Sequence, residues 1–136
     1  GMPAAHQSQL RQFGMRLGLA FQIADDLLDL TESQEMTGKD TANDLQNGRM
    51  TLPLLRAWQL ADADERACLQ EYLTADHRTG RLLLMGHPAV QQGLESARAT
   101  ADELIVRALR NLQSFPDSSE RQLLEAIARF AVHRSS

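Results

Sequence analysis

Phe13 to Leu30 reads FGMRLGLAFQIADDLLDL, and the spacing in this stretch decides the fold. On a helix turning about 100° per residue, Gly14, Gly18, Gln22, Asp25 and Asp29 share an arc of roughly 80°, with Asp26 just beside it. Leu10, Phe13, Leu17, Phe21, Ala24 and Leu28 fill the neighbouring arc, and Met15, Leu19, Ile23 and Leu30 much of a third. A surface helix keeps an outer face polar. This one is apolar on two sides and acidic on one, so it is expected to be central, with its carboxylates facing a cavity.

The rest of the chain points to an all-α helical bundle. No run alternates with β-branched enrichment, and valine occurs only at Val90, Val106 and Val132. The first helix is predicted over about Gln7–Leu30 and the second over about Leu52–Ala61. Asp64 is expected to cap a third helix with Ala67, Cys68, Leu69, Tyr72 and Leu73 as its stripe. A short helix is expected over Arg81–Met85, stopping before Gly86 and Pro88. A long one follows over about Ala89–Phe115, with Val90, Leu94, Ala97, Ala101, Leu104, Ala108, Leu112 and Phe115 three and four apart. Pro116 ends it, since the residue before proline disfavours α geometry. Ser118 or Ser119 caps the last helix, with Leu123, Leu124, Ile127, Ala128 and Ala131 facing inward.

Composition narrows the function classes. At 136 residues the chain is the size of one domain, so residues 1–136 are read as a single all-α domain. A net charge of −4 without a Lys/Arg run argues against nucleic-acid binding. The single cysteine, Cys68, excludes an intrachain disulfide and any multi-cysteine metal site. It is read as a core residue. No apolar run approaches the ~20 residues of a membrane span, and no signal sequence opens the chain, so the expected setting is the cytoplasm. Gly1 ahead of Met2 is read as a remnant of expression.

Asp25, Asp26 and Asp29 repel one another, and no Lys or Arg follows within a turn to neutralise them. Something cationic from elsewhere is required. Oxygen ligands too few to cage an ion suit Mg²⁺, which keeps waters and completes its octahedron with substrate phosphate. A bare solvated face is the competing reading, and the apolar flanks, Gln22 and the two glycines weigh against it. After Asp29 comes LTESQEMTGKDTANDLQNGRMTLPLL. Lys39, Asp44 and Arg49 lie in this polar stretch. A basic residue returning over an acidic metal site neutralises the diphosphate oxygens that metals do not reach. Taken alone, Lys39 is an ordinary solvated lysine.

GLAFQIADDLLD followed by GKDTANDLQNGRMTLPLL closely resembles the second aspartate-rich region of the trans-prenyltransferases, the polyprenyl diphosphate synthases. FQ, DDxxD, GK, DL, G-basic and TLP occur in order. The later helices resemble the same family's C-terminal part. The resemblance implies an isoprenoid synthase fold, here partial. It also implies Mg²⁺-dependent ionisation of an allylic diphosphate and attack by isopentenyl diphosphate, lengthening a prenyl chain. Carried onto matching positions, Asp25, Asp26 and Asp29 are metal ligands, and Asp25, Asp26 and Lys39 the catalytic set. Gln22 sits beside the diphosphate, and Lys39 and Arg49 contact it. Arg49 stands where the family has lysine, exchanging a point charge for a forked donor. Asp44 either orients Lys39 or binds metal through water.

One departure is large. The family's first aspartate-rich motif, with the Gly, Lys, Arg and His groups that hold isopentenyl diphosphate, has no counterpart here. The chain therefore reads as a C-terminal half that is inactive alone. The alternative is a non-catalytic partner or diphosphate-binding module of the same descent. The GK and G-basic-TLP loop argues against a terpene cyclase. Self-association, or pairing with a missing N-terminal half, is expected from the doubly apolar helix. The scattered His6, His77, His87 and His133 are read as surface or capping residues, and Trp58 as packing.

Overall fold

The computed structural model describes residues 2–31 and 51–133. Among these there are six helices and no strand, so the all-α expectation holds: α1 (Ala4–Thr31), α2 (Leu52–Leu60), α3 (Ala63–Thr74), α4 (His77–Gly86), α5 (Pro88–Asn111) and α6 (Ser119–His133). They gather into two compact units, residues 1–24 with 99–136, and residues 25–98.

In the first unit, the start of α1, the end of α5 and α6 close around Phe13, Ala20, Ile105, Ala108, Leu112 and Ala128. Burying side chains the size of Phe13 or Leu112 contributes ~1.5–3 kcal/mol each. Asn111, buried at the end of α5, ties that end to α1. Its Nδ2 donates to Gln9 Oε1 at 2.6 Å and Gln12 Oε1 at 3.2 Å, and its Oδ1 accepts from Arg16 Nη1 at 2.7 Å. The expected run of α5 to Phe115 stops at Asn111 instead. Leu112, Gln113 and Phe115 donate to carbonyls three residues back, the tighter spacing of a fraying helix end. The Ser118 hydroxyl then accepts from Arg121 N at 3.2 Å and caps α6.

In the second unit, α2 opens on Thr51 with Pro53 in its first turn, where a missing N–H costs nothing. Gly93 of α5 packs on it: a Cβ there would stand 2.8 Å from Ala57 N and would also meet the Pro53 carbonyl oxygen. The cap of α3 is Asp62, not Asp64. Asp62 accepts from Glu65 N at 2.8 Å, while Asp62 N donates to Glu65 Oε1 at 3.1 Å. This reciprocal box outranks a lone acid inside the first turn, where Asp64 lies. The short helix expected over Arg81–Met85 is longer, because Asp76 caps it through Thr79 N and Gly80 lies within it. Gly80 reads as a break in sequence. In space it is the residue that lets α4 approach the Tyr72 carbonyl of α3, which any Cβ would strike.

Three packing expectations are corrected. In α3 Leu69 is buried, whereas Cys68, read as core, is half-buried and Ala67 exposed. In α6 only Ala128 and Ala131 are buried, with Leu124 half-buried, whereas Leu123 and Ile127 are exposed. In α1 the buried residues are Phe13, Ala20, Ile23, Ala24, Leu27 and Leu30. Met15 is 63% exposed, Leu19 55% and Phe21 45%. The covered strip takes Phe13 and Ala24 from one apolar arc and Ile23 and Leu30 from the other, and leaves the outer part of each arc exposed. No described helix is long and apolar enough to cross a membrane.

Candidate functional site

Asp25, Asp26 and Asp29 occupy the last two turns of α1 and are half-buried. Burial of Ala24, Leu27 and Leu30 fixes the rotation of this part of the helix. Asp25 and Asp29, four apart, stand over one another along it, and Asp26 lies about 100° round from Asp25. The three positions thus lie on one face of the helix, and among the described residues no three His, Cys, Asp or Glu side chains are grouped as a metal site. Gln22, one turn before Asp26, is exposed. Upstream on α1, Gly14 and Gly18 are exposed too, and a Cβ at either meets nothing within 4 Å. Lys39, Asp44 and Arg49 lie outside the described residues.

Sequence reasoning missed one neighbour of the aspartates. Arg81, buried on α4, donates from Nη2 to the Leu30 carbonyl at 3.1 Å, one residue beyond Asp29. Burial pulls its guanidinium below the usual arginine range, yet arginine in a protein remains a cation. The signal was present in the sequence. The aspartates demanded a cation from elsewhere, and Arg81 leads an otherwise apolar run, Arg81–Met85, where a charge has to be paired.

The donor set is hard: carboxylate oxygens, with neither thiolate nor imidazole. It fits Mg²⁺, which takes one or two carboxylates and leaves its other positions to water and phosphate. It does not fit an ion that needs a closed protein cage.

Comparison with known proteins sets these features in context. The polyprenyl synthetase family model matches residues 1–82. The octaprenyl diphosphate synthase of Escherichia coli (strain K12) is 33% identical over 139 residues, spanning 98% of this chain and 42% of that protein. Solanesyl diphosphate synthase 2, chloroplastic, of Arabidopsis thaliana is 35% identical over 128 residues, spanning 93% of this chain and 30% of that one. Among solved structures, the polyprenyl synthase of Caulobacter crescentus CB15, complexed with calcium and isoprenyl diphosphate, matches with a TM-score of 0.80 and 34% identity, over 100% of this chain and 42% of that one. This chain therefore spans less than half the length of these relatives.

Proposed function

The chain belongs to the polyprenyl synthetase family, and from that premise we propose that it carries one side of a prenyl diphosphate synthase active site and is inactive alone. Asp25, Asp26 and Asp29 hold Mg²⁺. Gln22, Lys39 and Arg49 bind the diphosphate of an allylic substrate, with Lys39 and Arg49 neutralising its oxygens. A bound divalent cation supplies charge neutralisation on the departing diphosphate. The side chains here position that leaving group; the groups that would hold isopentenyl diphosphate have no counterpart in this sequence. Clamping one side of a leaving group supplies only part of the transition-state stabilisation.

The observation that carries the reading is the half-buried carboxylate turn at the end of α1, in a chain matched along its whole length to a synthase solved with calcium and isoprenyl diphosphate. The open surface at Gly14 and Gly18 supports it, because it leaves room for a prenyl chain. The exposed Met15, Leu19 and Phe21 support coverage of α1 by further helices, from a second copy or from a part matching the relatives' remaining length.

The test is calorimetric titration of pyrophosphate with and without Mg²⁺, in the parent chain and in Asp25→Ala. Weak, Mg²⁺-dependent binding that Asp25→Ala abolishes is the expected result. Identical heats in all four titrations would remove the site. Incubation with an allylic diphosphate, isopentenyl diphosphate and Mg²⁺ is expected to give no steady elongation; multiple-turnover product would show that the chain is complete as a catalyst.

A further inference from the structure

The end of α1 is electrostatically unfavourable by its own sequence. Asp25, Asp26 and Asp29 lie toward the negative end of the dipole of a 28-residue helix whose last turn contains no basic residue. Like charges four apart destabilise a helix, and the last four carbonyls of any helix have no intrahelical donor. Leu30 is one of those carbonyls. It accepts from Arg81 Nη2 at 3.1 Å, across 51 positions of sequence, and Arg81 is only 7% exposed. A buried cation on a C-terminal carbonyl satisfies the orphan acceptor and opposes the dipole together.

We propose that Arg81 is a positioning residue for the metal site: from α4 it clamps the last turn of α1 and so holds the adjoining aspartates in place for a divalent cation and diphosphate. The proposal rests on Asp25, Asp26 and Asp29 being the metal ligands. In this role Arg81 acts through the helix end, by its bond to the Leu30 carbonyl. This role differs from a through-space effect in what it does to the helix. Removing a positive charge that acted only through space would leave amide exchange in the last turn of α1 unchanged. Removing a clamp speeds it.

The experiment uses the full chain, as parent, Arg81→Met, Arg81→Lys and Asp25→Ala. Each is titrated with pyrophosphate in Mg²⁺, and amide exchange is followed at Leu27–Thr31. Arg81→Met is expected to weaken binding about tenfold and to speed exchange at that turn by a similar factor, with α6 unchanged. Arg81→Lys retains a cation and a donor, so binding is expected to return to within about threefold of the parent. Packing alone would be served as well by methionine as by lysine. Binding in Arg81→Met that is equal to or tighter than the parent, with binding lost in Asp25→Ala, overturns the proposal and leaves the metal reading standing. Parental binding by Asp25→Ala overturns the metal reading and the proposal together. Should Arg81→Met fail to fold, the parent decides. Its Leu27–Thr31 amides are expected to exchange several-fold more slowly than the last turn of α3, which also lacks a basic residue. Equal rates overturn the clamp.

Discussion

Gly14 and Gly18 are placed where a packed helix would not choose glycine. Both lie in the interior of α1, and a Cβ built at either meets nothing within 4 Å. Glycine in a helix interior costs about 0.8–1.0 kcal/mol relative to alanine, through the extra freedom of the unfolded chain. With no clash to offset it, Gly14→Ala and Gly18→Ala are each expected to stabilise the chain by ~0.5–1 kcal/mol, and the double variant by ~1–2 kcal/mol. At this chain length, ~1 kcal/mol corresponds to a rise of roughly 3–5 °C in Tm. The assay is urea unfolding followed by circular dichroism, with slopes compared so that only midpoint shifts are read. Destabilisation by either substitution would refute the reasoning, because it would mean that this surface is already packed against something. The same result connects to function. A surface that forgoes ~2 kcal/mol of helix stability keeps its backbone bare for an approaching group, and the double variant, although more stable, is expected to narrow the space for a prenyl chain.

Gly93→Ala should behave in the opposite way: its Cβ would meet Ala57 N at 2.8 Å and the Pro53 carbonyl, so a loss of ~1–3 kcal/mol in the same urea assay is expected. Asn111→Ala removes three hydrogen bonds, one of them to the charged Arg16 at 2.7 Å. Gln12 is exposed and regains water, and alanine restores some helix propensity, so the net loss is expected to be ~2–3 kcal/mol. A double-mutant cycle with Arg16→Ala should recover ~1 kcal/mol or more of coupling, and additive losses would show that the charged bond contributes nothing.

Much of this protein was legible as a string because helices are local. A 3.6-residue period, the Pro53 start, a serine cap at Ser118 or Ser119 and the absence of strand patterning are properties of neighbouring residues, and they led to the all-α fold, to helix bounds within a few residues for α1 and α2, and to the start of α6. The carboxylate turn was equally local: Asp25, Asp26 and Asp29 are brought together by one helix, so their placement needed no tertiary information. Tertiary structure decided which apolar residues are covered. The sequence offers α1 two apolar arcs and α6 a stripe with Leu123 and Ile127, but burial depends on what stands opposite, and each arc of α1 is covered only in part. It also decided the meaning of two glycines. Gly80 and Gly93 look like breaks or weak helix residues, whereas each marks a backbone approach that exists only between helices. The bond from Arg81 to the Leu30 carbonyl belongs with these. That a residue 51 positions further on reaches the end of α1 is a fact of packing, since no periodicity in the chain relates the end of α1 to α4.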